Sequence, residues 1–600
     1  MRNRLCIIIL LVVWIGQSSA GVSDGTMSPS MSWWVVWRST ENLAELVVYQ
    51  VSRLMPWPPP RTRSRRRSQR SGGPRSRCLD SPSGNGDEKE NEEPRSTKQP
   101  QRREDFGGIS LSDPQRWGLS PDLSRELPDR LRGFWQRYYE CFKTKTRNTG
   151  EYAYHYLSCL LRMETKRNYT NIGRAADVAG ENIQHFMSNS PWPARAAMEQ
   201  VQQEIKATPD LEQGSVLLLD ECAEEKAGDK SAGAGRQHNG RLGKVDMSRV
   251  STLLAYANLT DPDRPIWTWV DGELYLQKHW FTPEMAELRQ QVGIPPEQKF
   301  ETKIEQGWKM IQRAQANGFP FEAVACDDLY GRSTWLRDNL NGAGIIYMAD
   351  VPRTTCVYLK KPVLGIPAPK AGQRGRKPTR LRVINGVKSF KVHQVARRVD
   401  TTWQHIRVRP IERGELNDPF AVRRIWTLRE GETKPVEEWL VVRRETTNRY
   451  NYSLSNAPAD TSLEYLAWLK CQRYFVERAN QDAKSEAGWD ELEARKYRGW
   501  EHHLALTILA VWFVAQTKWE WAQRYARDPA LARQFTVDVL PTLSMANIRL
   551  LLCAAMPLPQ PTPEEAVELV VEHFVNRTRS RASRLRRQRA TFKPNANAPP

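Results

Sequence analysis

Paired cysteines are missing from this chain. Its nine cysteines stand singly, none in a C-x-x-C spacing, and their total is odd. That excludes a disulfide framework and a cysteine-based zinc site, and it fits a reducing compartment. Long apolar runs are missing too. Leu5 to Gly16 and Leu504 to Gln516 both fall short of the roughly 20 residues a membrane-spanning helix needs. No G-x-x-x-x-G-K-[ST] loop occurs, so P-loop nucleotide chemistry has no seat. Acid is also in deficit: 69 Asp and Glu stand against 89 Lys and Arg, a net charge of +20 over 600 residues. An excess of that size calls for a polyanionic partner or an anionic surface.

The ends of the chain are the least patterned. Met1 to Arg4, the apolar Leu5 to Gly16, and Ser18-Ser19-Ala20 have the three regions of an export signal. The Arg/Ser/Pro/Gly run from Arg61 to Arg77 does not suit an exported protein, so this segment reads better as upstream sequence captured by an early start. Residues 1–105 are expected to form a disordered or mis-assigned extension, because they lack material for a core. Residues 106–212 carry aromatics and leucines at helical spacing and are expected to form a helical DNA-binding domain. Within it, Asn171 to Ala179 and Glu181 to Ser188 flank Gly180 in a helix-turn-helix-like layout. A Pro-rich and Arg-rich tail is expected over 557–600, with one short helix at Pro563–Val575.

Between these ends the pattern is α/β. Val216–Leu219, Val250–Ala257 and Ile266–Tyr275 read as three strands, Glu301–Ala316 as a helix, Ala323–Cys326 as a strand, Thr334–Leu340 as a helix and Ile345–Met348 as a fifth strand. Residues 213–356 thus hold the first part of a core. Residues 357–460, with runs such as Val392 to Val399 and Trp403 to Arg409, are expected to be a β-rich insertion. Residues 461–556 return to helix, with helices from Ser462 to Ala487 and a buried one at Leu504–Gln516.

Acids sit where chemistry could use them. The first strand ends in Asp220 and the fourth in Asp327, while Glu477 lies in the later helix with Arg473 four residues before it and Lys484 seven after. Those three share one helical face. Two strand-end acids and a helical Glu are the donor set of a two-metal phosphoryl-transfer site, where Mg²⁺ would activate the attacking oxygen and neutralise charge. Glu221 competes with Asp220 and Asp328 with Asp327; strand alternation lets only one of the first pair face the cleft.

The chain resembles the DDE transposases of bacterial insertion sequences, in the branch with an Arg…Glu…Lys signature. The pieces are Lys166-Arg167-Asn168, Ser188-Asn189-Ser190-Pro191-Trp192, Val216 to Asp220, Gly235-Arg236-Gln237…Gly240…Leu242-Gly243-Lys244, Cys326 to Arg332, Glu477…Lys484…Glu486-Ala487-Gly488, and Tyr497-Arg498-Gly499-Trp500…His502-His503. The resemblance runs from about 115 to 556. It implies a ribonuclease-H-like core, a mixed five-stranded sheet with helices, interrupted by the β-rich insertion and preceded by the helical domain. It also implies Asp220, Asp327 and Glu477 as catalytic metal ligands, with Mg²⁺ as cofactor and Mn²⁺ able to substitute. Arg473, Lys484, Arg236, Lys244, Arg374 and Arg376 become expected DNA contacts. The implied partners are the element's terminal repeats and target DNA, a second copy of the chain, and no membrane, in the cytoplasm with the nucleoid. The alternative is a catalytically silent DNA-binding descendant. The family's Tyr seven residues before the Glu is Lys470 here, and Cys222-Ala223 replace its usual small residue and Gly.

Overall fold

The computed structural model describes residues 111–261, 264–368, 378–411, 414–429 and 435–591, with side chains to 587 in the last segment. Five helices come first: α1 (Pro121–Tyr138), α2 (Gly150–Arg162), α3 (Tyr169–Ala175), α4 (Gly180–Ser188) and α5 (Ala194–Lys206). Helix α1 starts where Ser120 caps the amide of Asp122 and Pro121 occupies the first turn, where its missing N–H costs nothing. Its Leu123, Leu127, Leu131, Phe134 and Tyr138 repeat at three- and four-residue intervals and are buried.

The sheet follows. Of strands β1 (Ser215–Glu225), β2 (Gly235–Asn239), β3 (Lys244–Asn258) and β4 (Ile266–Leu274), the long β3 pairs antiparallel with each of the other three; helices α6 (Ala286–Val292) and α7 (Lys303–Ala316) then cross over to β5 (Ala323–Cys326). A four-residue helix α8 (Asp328–Gly331) and α9 (Thr334–Gly342) lead to β6 (Ile346–Asp350). β5 lies between β1 and β6, parallel to both, and β3 joins β1 to β4. The central run β6-β5-β1-β3-β4 is the mixed five-stranded sheet expected of a ribonuclease-H-like core. Parallel strands are covered on both faces, which is why Val216–Leu219 and Ala323–Cys326 are continuous apolar runs, all buried.

The insertion extends this same sheet. Its strands are β7 (Cys356–Tyr358), β8 (Leu364–Gly365), β9 (Arg382–Val383), β10 (Ser389–Lys391), β11 (Gln404–Ile411), β12 (Gly414–Thr427), β13 (Val436–Arg444) and β14 (Tyr450–Ser455). β14 pairs antiparallel with β6, so the sheet reaches twelve strands among the described residues, and β8 and β9 form a separate pair. One expected strand is a helix instead: α10 (Val392–Ala396) buries Val392, Val395 and Ala396, a three-and-four spacing that local alternation concealed.

The helices expected over Ser462–Ala487 are α11 (Leu463–Cys471) and α12 (Tyr474–Ser485). At the break the amides of Gln472, Phe475 and Val476 bond three residues back, to Leu469, Gln472 and Arg473, tightening the turn. Helix α13 (Tyr497–Arg524) is buried almost throughout, extending the expected Leu504–Gln516 at both ends. It packs on β4 and on α2, α4 and α5, so helices and sheet share one hydrophobic core. Helices α14 (Pro529–Phe535), α15 (Met545–Ala555) and α16 (Pro563–Thr591) complete the chain. α16 runs well past the expected Val575, because no Gly or Pro interrupts it. No helix among the described residues is long and apolar enough to cross a membrane.

Candidate active site

Register brings three acids to one edge. Leu219 on β1 lies opposite Cys326 on β5, and Cys326 lies opposite Ala349 on β6. The next residue on each strand is Asp220, Asp327 and Asp350, so these stand side by side where the parallel pairing ends, about 4.8 Å apart from strand to strand; β1 does not end at Asp220 as expected but runs on to Glu225, held by its pairing with β3. The crevice at such ends is where open α/β sheets place ligands.

The neighbouring acids are already neutralised. Asp350 accepts from Lys470 Nζ at 3.1 Å and Arg473 Nε at 3.3 Å, and also from the Ser453 hydroxyl. Glu221 is paired with Lys303, and Asp328 with Arg332 at 2.8 Å. Asp220 and Asp327 make no ion pair among the described residues. Asp327 accepts only the backbone amides of Leu329 and Tyr330, at 3.0 and 3.3 Å, capping α8. The next helix, α9, is capped by Ser333, so Asp327 is not spent there.

Burial and then the charge of Asp327 push the Asp220 carboxyl up to about 7, against the pull of Arg473. Burial raises Asp327 as well, opposed by the Tyr330 amide and Arg473. Burial, then Glu221, Asp220 and Asp327, push the buried Tyr330 phenol well above the usual range. Two adjacent carboxylates without a cation of their own are hard oxygen donors, and they fit a divalent ion such as Mg²⁺.

Glu477 stands differently. Its side chain is 58 % exposed and accepts from Arg473 Nη2 at 2.9 Å, the surface pairing that its sequence context also allowed. Arg473 is the common neighbour: Asp350, Asp220, Glu477 and Asp327 all act on its charge. Among the described residues no three His, Cys, Asp or Glu side chains are gathered closely enough to hold an ion. Lys484, half-buried, lies against Cys222 on β1, two residues past Asp220, and makes no ion pair among the described residues.

The remaining expected contacts lie elsewhere. Arg236 pairs in register with Met247, and Lys244 with Asn239, whereas Asp220 is opposite Leu253. Six and nine residues along β3 are roughly 20 and 30 Å. The β2–β3 hairpin therefore does not bring these cations to the acids, and Lys244 is paired with Asp246 at 2.8 Å. Arg374 and Arg376 lie outside the described residues. His502 and His503 are internal: His502 bridges the Met187 and Trp192 carbonyls, while His503 joins the Tyr156 hydroxyl to the Trp489 carbonyl. Sequence reasoning missed Asp350 and Lys470. The signal was available for Asp350, an acid closing an apolar run as Asp220 and Asp327 do.

Residues 137–415 match the family model described as DDE superfamily endonuclease. The match takes in Asp220 and Asp327 and ends before Glu477. A curated protein from Microchaete diplosiphon, named "Probable transposase for insertion sequence element IS701", is 25 % identical over 244 residues, covering 37 % of this chain and 57 % of that protein. The alignment thus spans little more than half of the relative's length. Taken with the strand order that sets the two acids side by side, these likenesses support a DDE transposase of an insertion sequence: somewhat less than half of the chain is similar to the DDE superfamily endonucleases, and part of it to an insertion-sequence transposase.

Proposed function

We propose that the chain cuts the ends of its own insertion sequence and joins them to target DNA, with Asp220, Asp327 and Glu477 as the catalytic carboxylates. The observation that carries this is the contrast in charge: each neighbouring strand-end acid is paired, and Asp220 and Asp327 are not. Both would hold a divalent ion, Mg²⁺ with Mn²⁺ as substitute, and Glu477 would join them after exchanging Arg473 for it. Such ions supply Lewis acidity that activates the attacking oxygen and stabilises the leaving one. Arg473, released from Glu477, and Lys484, which makes no ion pair among the described residues, would then face phosphate, orienting the strand and offsetting its charge. Because two ends must be joined, the active species is a homodimer on DNA, working with the nucleoid in the cytoplasm.

Glu477→Gln keeps the shape and removes the carboxylate. Cleavage of the inverted repeats flanking the gene should fall roughly 100- to 1000-fold, the scale of losing one electrostatic contact to a transition state. Binding of those repeats should stay within about twofold, since Glu477 touches no DNA phosphate. Cleavage at the parent rate would reduce Glu477 to an ion-pair partner of Arg473. Binding without cleavage by the parent chain would favour the silent DNA-binding descendant.

A further inference from the structure

A cleft of about 1170 Å³ opens between α3, α4, the loop 492–496 and α16. Its lining holds six Lys and Arg against three Glu, which decides its sign. Glu572 is already matched by Arg174 at 3.1 Å, and Arg167 by Glu491 at 2.6 Å. Lys166, Lys230 and Arg495 are exposed on its walls and make no ion pair among the described residues. Side-chain amides of Asn168, Asn171 and Asn189 stand among them.

Lys166 is held outward at a cost. Its φ is 60°, a left-handed backbone that L-residues adopt reluctantly. The turn is fixed from three directions: its carbonyl accepts the Asn168 amide at 2.8 Å and Asn171 Nδ2 at 2.9 Å, while the Arg167 amide donates to Glu491 at 2.7 Å. Strain maintained by that many contacts points to use.

Two features extend the cleft. The loop 492–496 follows helix α12, which carries Glu477, through Gly488 and the turn Trp489–Glu491. Gly488 has φ 65°, and a Cβ there would sit 2.5 Å from Arg167 Cδ, so the turn and the cleft wall are locked together. On the other side α16 lines the cleft as far as Asn576 and continues with Arg577, Arg579 and Arg581. Cations and amides stand here between apolar side chains such as Leu288, Val292 and Leu569, and the excess of positive charge suits a sugar-phosphate backbone.

Resting on the transposase reading, we propose that this cleft binds the phosphate backbone of the DNA duplex beside the site of cutting, through Lys166, Lys230 and Arg495. The test uses Lys166→Ala/Lys230→Ala/Arg495→Ala in the full chain, with fluorescence anisotropy on a duplex of arbitrary sequence across a salt series. Each lost phosphate contact should flatten the log–log salt slope by about 0.9, so up to about 2.7 for three, with the melting temperature unchanged. Arg125→Ala/Lys143→Ala/Arg449→Ala removes three ion-paired cations elsewhere and should leave the slope as it was. Should Lys166→Ala unsettle its turn, Lys230→Ala/Arg495→Ala alone should give a flattening of about 1.8. A parental slope and affinity overturn the proposal. So does lost self-association with DNA affinity intact, which would give the surface to a second copy of the chain. The catalytic reading has its own test in Glu477→Gln cleavage, so either can fail without the other.

Discussion

Asp350 and Lys470 show how one pair of residues can reserve another pair for chemistry. The Lys470 side chain is only 3 % exposed, and its ammonium sits between Asp350 and the Ser453 hydroxyl. Asp350 in turn holds Arg473 beside Glu477. Lys470→Met should cost about 3 kcal/mol, the low end for breaking a buried pair, because Arg473 still faces Asp350. Asp350→Asn/Lys470→Met should recover much of that in urea denaturation yet leave cleavage roughly 10- to 100-fold down, as expected for losing a group that orients another. Full cleavage in the double variant would detach Asp350 from the site. His503 gives a pH signature. Burial holds it down to about 4, and its neutral ring is satisfied by Tyr156 and Trp489. Between about 6.5 and 4 the unfolded chain binds the extra proton, so stability present above pH 6.5 is lost as pH falls, at most about 1.4 kcal/mol per pH unit. Denaturation midpoints at several pH values should show this slope, and His503→Gln should reduce it. At this scale Asp220 and Asp327 were legible, because an acid ending an apolar strand is a local pattern. The burial of His502 and His503 was not, since it depends on helices some 310 to 350 residues away in sequence.

Among the elements, the short helix α8 sets how closely the strand ends approach. A Cβ at Gly331 would lie 2.0 Å from the Asp350 carbonyl oxygen, so only glycine lets α8 press on the end of β6. Gly331→Ala should destabilise by about 1–3 kcal/mol through overpacking and should slow cleavage beyond the stability loss, by shifting Asp327 against Asp350. A variant that melts lower but cleaves normally when folded would separate α8 from the site. Strands and long helices were legible from apolar period. Where α11 gives way to α12 was not, because the i→i−3 bonds at the break arise from packing. Helix α10 was misread for a related reason. Five residues are too few for periodicity to separate helix from strand, and the cluster of Val357, Ile425 and Leu440 around Val392 decides it.

Across the whole molecule, one core runs from Leu123 in α1 to Leu552 in α15, tied together by the buried helix α13. The sequence shows the helical and α/β segments but not that they share this core, since α13 is apolar on nearly every side and names no partner. Nor does it show that the insertion continues the catalytic sheet through β14 and β6, because strand pairing at this distance leaves no local mark. A chain beginning at residue 106 should retain its fold and cleavage, because the Arg-, Ser- and Pro-rich composition of residues 21–105 lacks material for a core. Loss of cooperative melting in that shortened chain would show that the preceding segment packs on the core.

The central claim is that Asp220 and Asp327 form the seat of a divalent ion. Mn²⁺ binding, followed by electron paramagnetic resonance with DNA ends present, tests it without relying on turnover. The account predicts bound Mn²⁺ in the parent chain, displaced by Mg²⁺, and its loss in Asp220→Asn/Asp327→Asn with melting temperature and DNA affinity maintained. Equal Mn²⁺ binding by that double variant would contradict it.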